Sequence, residues 1–422
     1  MGANEDGLWT RGTLSDLVEL NAANWEPRRG GRIRYLDIAA ISRTGTIGEL
    51  RDIDAKLAPS RARRIARSGD VVVSTVRPHL RAFARVRSAP DNLVVSTGFA
   101  VLTPKRLSDS EFVYQQVLTD EFISFLDPRT TGTGYPAVRG DDVVAFPIAL
   151  PAPLERERIG CFLRSIDLAI EKTEAVIEAT ETLRKALLQE LLTRGVPDWH
   201  TEWKTVPGIG TIPACWEVGR LGEVAEVQTG RQVGKAPRGP SVSVPYLSVA
   251  NVKDGYLHLE TVKAMAVSPA EVARFSLRAG DVLFTEGGDR DKLGRGCVWT
   301  GEIHPCVHQN HVFAVRPHLH RLSAWYLSIY AGSAAGKAYF MGCAKQTTNL
   351  ASINSTQLRD LPVPLPTVFE QEKAQALVGT VDARLTQELQ LLMHLRDIKR
   401  ETASALLSGR LRVPFEDGGV AR

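Results

Sequence analysis

The chain has 422 residues, more than one ordinary domain holds, so two or three domains are expected. Hydrophobic residues make up 43% and charged residues 24%, a balance that excludes a disordered or fibrous chain. The most apolar segment, Val143 to Leu154, is short and broken by Pro147, Pro151 and Pro153, which excludes a hydrophobic spanning helix.

The opening residues MGANEDGLWT lack the basic-then-apolar order of a secretory signal, so a cytoplasmic protein with no membrane partner is expected. The five cysteines, Cys161, Cys215, Cys297, Cys306 and Cys343, are scattered and form no CxxC pair, which fits a reducing compartment. Net charge is +4, but it is unevenly placed. Arg28 to Arg87 holds 15 Lys+Arg against 5 Asp+Glu, while the rest of the chain holds 37 against 43. Such asymmetry fits an anionic partner for one face, or a solvated surface rich in arginine.

In chain order, the first predicted element is a mixed region, about 11–150. Its β-type runs include Val71-Val72-Val73-Ser74, which follows a Gly-Asp turn signal. After the proline-rich segment FPIALPAP (146–153) a helix is predicted from about Glu155 to Thr193, within a segment 151–195. Its apolar face holds Ile159, Leu163, Ile166, Ile170, Ile177, Leu183, Leu187 and Leu191. A second mixed region, 205–364, contains Val282-Leu283-Phe284-Thr285 after another Gly-Asp. LPVPLP (361–366) then leads into a helix from about Glu370 to Ser408, within a segment 365–412.

In the second helix Val378, Val381, Leu385, Leu389, Leu392 and Leu395 recur by threes and fours. Thr173 and Thr180 interrupt the first seam, and a strict heptad phase puts Glu388 in the second with Leu389 beside it. About 40 residues make a rod of roughly 60 Å. The stripes are long, narrow and near heptad spacing. They favour packing of the two helices on each other, antiparallel, over each covering only its own domain.

The two halves repeat. Tyr35-Leu36-Asp37-Ile38-Ala39 matches Tyr246-Leu247-Ser248-Val249-Ala250, and Gly69-Asp70-Val71 matches Gly280-Asp281-Val282, both at an offset of 211. Leu150-Pro151 matches Leu365-Pro366 and Leu191-Leu192 matches Leu406-Leu407, both at 215. Ordered matches with so little drift mark a duplication.

Several segments carry a family resemblance. LPAPLERERI (150–159) and LPTVFEQEKA (365–374) resemble a proline-rich entry into a helix with a Glu-Gln pair. The second copy keeps the pair as Glu370-Gln371, and the first has Arg156 in place of Gln. GDVVVSTVRPHLR (69–81), GDVLFTEGGDRDKLGRG (280–296), HQNHVFAVRP (308–317) and QTTNLASINSTQLRDLPVPLP (346–366) resemble successive parts of a recognition domain. In this order, over almost the whole chain, they resemble the specificity subunits of Type I restriction–modification systems.

The resemblance implies an α+β fold. Two repeated globular target-recognition domains would alternate with two long helices packed as an antiparallel coiled coil. It implies a non-catalytic subunit in which each domain reads half of a split double-stranded DNA target. The helices would space the halves and dock two modification (methyltransferase) subunits. Restriction/translocase subunits would complete the complex. No cofactor is expected in this chain, S-adenosylmethionine, ATP and Mg being expected in those partners. The residues agree: no adjacent prolines, phosphate loop, GxSxG elbow or HExxH helix is present. A coiled-coil scaffold with two domains that do not bind DNA is the competing reading.

Candidate DNA contacts follow from the chemistry of phosphate and base-edge recognition. In the first domain they are Arg61, Arg63, Arg64, Arg77, His79 and Arg81. Tyr135 and Arg139 lie in the glycine-bounded TGTGYPAVRG segment. Each arginine is equally placed for a surface ion pair, and Tyr135 for the core. In the second domain Arg290, Lys292 and Arg295 lie among glycines, with Asp289 and Asp291 opposing a simple phosphate cradle. Lys345, Gln346, Thr347, Thr348 and Asn349 form a polar cluster suited to bases or to turn bonds. His304, Cys306, His308 and His311 are close enough to suggest zinc. Their alternation instead fits a strand entering the core, which the resemblance favours, so no metal site is expected.

Overall fold

The computed structural model describes residues 9–26, 31–42, 44–132, 134–234, 239–288, 293–294, 296–343, 345–346 and 351–413. They form two compact units. One comprises residues up to Val176 with those from Glu388 onward, and the other Ile177 to Gln387.

The first unit contains an antiparallel sheet whose strand order is Val18–Leu20, Phe99–Pro104, Val71–Ser74, Phe83–Arg85. Every residue of Val71–Ser74 is buried, because the strand has a core on each side. Val71 and Val73 pack with Leu14, Phe112 and Phe122, while Val72 packs with Leu36, Val95 and Phe99. A period of two thus serves two cores. A second sheet holds Arg51–Asp54, Arg32–Leu36, Leu93–Ser96 and Ala62–Ile65, with its middle pair parallel. The Gly-Asp signal is a tight turn: Gly69 has φ 95°, and the Arg67 N–H donates to Asp70 Oδ2 at 2.8 Å.

The second unit repeats this plan. Its antiparallel sheet runs Ala225–Thr229, Val312–Pro317, Val282–Thr285, Gly296–Val298. Val282 and Phe284 face one core and Leu283 another. The Arg278 N–H donates to Asp281 Oδ2 at 2.8 Å, as in the first copy. The counterpart of the second sheet has three strands, Lys263–Val267, Val242–Leu247 and Val307–His308, the last two parallel.

The long helices span Pro153–Thr193 and Val368–Leu407. Both begin two residues earlier than the sequence suggested, since proline suits a first helical turn and the Thr367 hydroxyl accepts the Glu370 N–H at 3.2 Å. Each unit contains an antiparallel pair of helix segments. In the first, Asp167 pairs with Lys399, and Glu174 Oε1 with Arg396 Nη2 at 2.7 Å. In the second, Arg184 Nε meets Asp382 Oδ1 at 2.5 Å, and Leu191 packs with Ala374 and Val378.

Burial follows the strict heptad phase. On the second helix Val378, Glu388, Leu392 and Leu406 are buried, whereas Leu389 is 45% exposed. On the first helix Thr173 is buried and Leu183 is 58% exposed, its seam position taken by Arg184. Leu183 and Leu389, placed in the stripes by simple periodicity, therefore lie outside them. Their neighbours Arg184 and Glu388 keep the 3-4 spacing that lets supercoiled helices stay in contact. The helices also serve the domains. Ile159, Leu163, Leu406 and Leu407 belong to the main core of the first unit, and Leu192 to that of the second.

The helix entries explain the Arg156 departure. In the second copy Gln371 Oε1 accepts the Ser323 N–H at 2.8 Å, and its Nε2 donates to the Arg321 and Pro366 carbonyls at 2.9 Å. In the first copy Asp109 stands at the Ser323 position. Arg156 grips it with two bonds, Nε to Oδ1 at 2.8 Å and Nη2 to Oδ2 at 3.0 Å, both side chains being buried. The two substitutions compensate each other. Arg156→Gln is expected to destabilise the first unit by about 3–5 kcal/mol, because Asp109 would be left as a buried, unpaired carboxylate. Adding Asp109→Ser should recover most of that loss in urea unfolding.

Candidate nucleic-acid interface

In the first unit the strand Val71–Ser74 continues into Thr75, whose N–H donates to the Gly98 carbonyl at 2.8 Å and whose carbonyl accepts the Val138 N–H at 2.9 Å. Val76 then bridges to Ala137, and Ala137 exchanges both backbone bonds with Thr131 at 2.9 Å. This small three-segment ribbon joins the RPHLR and TGTGYPAVRG segments. The Arg77 N–H donates to the Pro136 carbonyl at 2.7 Å, its Nη2 to the Gly134 carbonyl at 3.1 Å, and its guanidinium lies 4.8 Å from the Tyr135 ring centre. Tyr135 is 76% exposed, so the core placement left open by sequence does not apply.

Arg77 and Arg81 have φ of 49° and 54°, flanking the turn Pro78–Leu80. Such left-handed backbone in two non-glycine residues is held only where its surroundings demand it. His79 is exposed on that turn. Arg81 is a brace, its Nη1 donating to the Leu118 carbonyl at 2.9 Å and its Nη2 pairing with Asp120. Arg139 is exposed just past the ribbon, and its N–H donates to Asp142 Oδ2 at 3.0 Å. Arg61, Arg63 and Arg64 are not on the ribbon but at the strand Ala62–Ile65 of the other sheet. Arg61 is exposed, and Arg63 Nη1 donates to the Ala62 carbonyl at 3.1 Å. Arg64 is half-buried, and burial lowers its pKa from the ordinary value. The ribbon thus unites Arg77 and Tyr135, with His79 on the adjoining turn.

The second unit carries the same ribbon. Gly287–Gly288 pairs with Ala351–Ser352, which pairs with Lys345–Gln346. The Glu286 N–H donates to the His311 carbonyl at 2.9 Å, and the Glu286 carbonyl accepts the Ile353 N–H at 2.8 Å. Glu286 therefore occupies the place of Thr75, and His311 that of Gly98. Lys345 and Gln346 are placed on this ribbon by their backbone. Arg290, Lys292, Arg295, Thr347, Thr348 and Asn349 lie outside the described residues.

Beside this ribbon are side chains that sequence reasoning did not link to it. Glu286 Oε2 lies 2.5 Å from His311 Nδ1, and Asn310 Nδ2 lies 3.1 Å from His311 Nε2. With the amide donating to Nε2, the ring proton is on Nδ1 and points to the carboxylate. Elsewhere in this unit, a cavity of about 340 Å³ is lined by Arg274, Arg316 and Arg359 together with Glu226. Arg316 is held by two bonds of 2.8 Å to Asp281. Arg359 Nη2 donates to the Val227 carbonyl at 3.0 Å, so two of the three arginines already have partners in the fold.

Cys306 and His308 are core residues, buried next to and within the strand Val307–His308. His308 Nδ1 donates to the Val312 carbonyl at 2.6 Å. Burial pushes the Cys306 thiol up to about 12 and pushes the His308 pKa down. Among the described residues no cluster of three metal-ligating side chains forms.

With this geometry in hand, comparison with known proteins places the chain. Residues 213–392 match the Type I restriction modification DNA specificity domain. That match covers the second repeat and part of the second long helix, less than half of the chain, and is a similarity to that domain. The chain is 24% identical to the MjaVIII specificity subunit of Methanocaldococcus jannaschii over 76% of this chain and 75% of that one. It is 25% identical to the putative MjaX specificity subunit of the same organism, over 41% of each chain, so that alignment spans less than half of the relative. A solved chain from work on complex assembly and conformational transition of the Type I R-M system superposes with a TM-score of 0.62. It has 24% sequence identity, over 97% of this chain and 100% of that one. That likeness establishes the α+β fold, with repeated domains alternating with long helices.

The buried histidine yields a pH prediction. His308 is neutral in the fold, and its pKa is below that of the unfolded chain. Its contribution is complete above about pH 6.5 and is lost as pH falls below that value, because the unfolded state then binds the proton. Unfolding of the second unit should become easier by up to about tenfold per pH unit between pH 6 and 5. In His308→Asn that portion of the pH dependence, followed by urea denaturation, should disappear.

Proposed function

We propose that this chain is the sequence-reading subunit of a Type I restriction–modification complex, with each domain reading one half of a split double-stranded DNA target. One observation carries the reading. The same backbone ribbon recurs in both repeats but bears different chemistry: a cation and an aromatic ring at Arg77 and Tyr135, an acid–imidazole–amide group at Glu286, His311 and Asn310. A common frame with unlike polar surfaces suits two recognition heads that select different bases. The remaining candidates, Arg61, Arg63, Arg64 and Arg139, suit phosphate contacts.

In this reading the chain itself is not catalytic. Two modification subunits bring S-adenosylmethionine and methylate the target, and restriction/translocase subunits bring ATP and Mg. The domains comprise about 11–150 and 205–364, and the helical segments 151–195 and 365–412 set the distance between half-sites. Exposed apolar residues on the helices, such as Phe162 and Leu168 on the first and Met393 and Ile398 on the second, suit docking of the modification subunits. No helix among the described residues is long and apolar enough to cross a membrane, which fits work in the cytoplasm on chromosomal or invading DNA.

Arg77→Ala and Tyr135→Ala are each expected to weaken target binding by about 1–3 kcal/mol in titrations at fixed salt. Both should relax selectivity in the same half-site only. Affinity of the assembled complex should also fall steeply as salt rises, since released counterions drive phosphate binding. Binding that ignores salt would instead favour a protein-interaction scaffold. Replacing residues 11–150 by another recognition domain should alter one half of the methylated sequence, as mapped by methylation sequencing. A change in both halves would overturn the independent-head reading.

A further inference from the structure

The second unit holds a linked cysteine, histidine and glutamate that DNA reading does not require. Cys215 is exposed, and its Sγ lies 3.5 Å from His200 Nδ1. His200 Nε2 lies 2.7 Å from Glu370 Oε1. Glu370 is buried, and its carboxylate also accepts the Val196 N–H at 3.2 Å and the Trp216 indole N–H at 3.0 Å. Three donors converge on one carboxylate, which is the pattern of an ionised acceptor. Nε2 must then carry the imidazole proton, leaving the Nδ1 lone pair facing the thiol. The edge of the His200 ring meets Trp216 with centroids 6.0 Å apart, which further fixes its orientation.

This is the order nucleophile, base, orienting carboxylate that activates a thiol. The other cysteines lack it. Cys161 is exposed on the first long helix and bonds no histidine among the described residues. Cys297 and Cys306 are buried, and burial pushes both thiols up to about 12. Cys343 is half-buried, and burial raises its pKa too.

We propose that Cys215 is a reactive modification site for small organic disulfides, with His200 as its base and Glu370 as the group that positions the base. As the sulfur attacks, its proton passes to His200 Nδ1. A new S–S bond forms to one sulfur of the reagent, the reagent's own S–S bond breaks, and the second sulfur leaves as a thiolate with the electron pair. Cys215 is oxidised to a mixed disulfide and the reagent is reduced. The imidazolium left behind is stabilised by the ionised Glu370.

The full-length chain treated with oxidised glutathione or an aryl disulfide at pH 7, with peptide mass spectrometry over time, tests this. Cys161 serves as the exposed internal reference. Cys215 should be modified at least about tenfold faster than Cys161. His200→Gln keeps a donor for Glu370 but offers no basic nitrogen, and should bring Cys215 to within about twofold of Cys161. Equal rates at Cys215 and Cys161 in the unaltered chain would overturn the proposal. So would an unchanged Cys215 rate in a folded His200→Gln variant. The comparison within the unaltered chain needs no variant and decides the matter even if the substitution unfolds the unit.

Discussion

Two buried glutamates fix where each long helix begins and which stretch of chain it meets there. Glu155 accepts the Trp9 indole N–H at 3.0 Å and is gripped by Arg412, just beyond the end of the second helix, at 2.6 and 2.9 Å. Glu370 accepts the Trp216 indole N–H and the Val196 N–H, just beyond the end of the first helix. Each carboxylate is too buried to be left short of partners. The start of one helix, the end of the other and a tryptophan from the neighbouring domain must therefore assemble together. The antiparallel pairing in each unit follows from that requirement, and the heptad seam extends it along the helices.

Much of the fold was legible because it repeats a pattern. The Gly-Asp turns, the Val71–Ser74 and Val282–Thr285 strands and both helices appear in the sequence as periodicity bounded by turn residues. What periodicity alone misplaced was the seam near Leu183 and Leu389. An apolar residue attracts attention there, but the 3-4 spacing selects its polar neighbour. Arg184 satisfies its charge on Asp382, and Thr173 returns its hydroxyl to the Ala169 carbonyl at 2.9 Å. Polar groups so satisfied fit a helix seam and help to specify its register, which hydrophobicity counts do not register.

The candidate interface was legible in part. The segments around Arg77 and Tyr135 were singled out, but their joining was not, because it rests on bridges of one or two residues. No strand-length pattern announces such a ribbon. The same limit hid Glu286, whose importance comes from backbone bonds to His311 and Ile353, residues far away in the chain. The repeat offset was the available signal. Thr75 and Glu286 stand at the offset of 211 that relates the Gly-Asp turns, so comparing the copies residue by residue leads from one ribbon to the other.

The compensated pair at the helix entries bears on how such a duplicated gene evolves. Asp109 with Arg156 and Ser323 with Gln371 are two locks with two keys, each key some fifty residues downstream of its lock. Recombination between the copies that exchanged whole repeats would carry lock and key together. A crossover inside either interval would join Asp109 to glutamine or Ser323 to arginine, stranding an ion in the interior. Those intervals are closed to exchange, so Tyr135 travels with its own lock and key, while the part of the recognition surface upstream of the lock, around Arg77 in one copy and Glu286 and His311 in the other, is free to be shuffled.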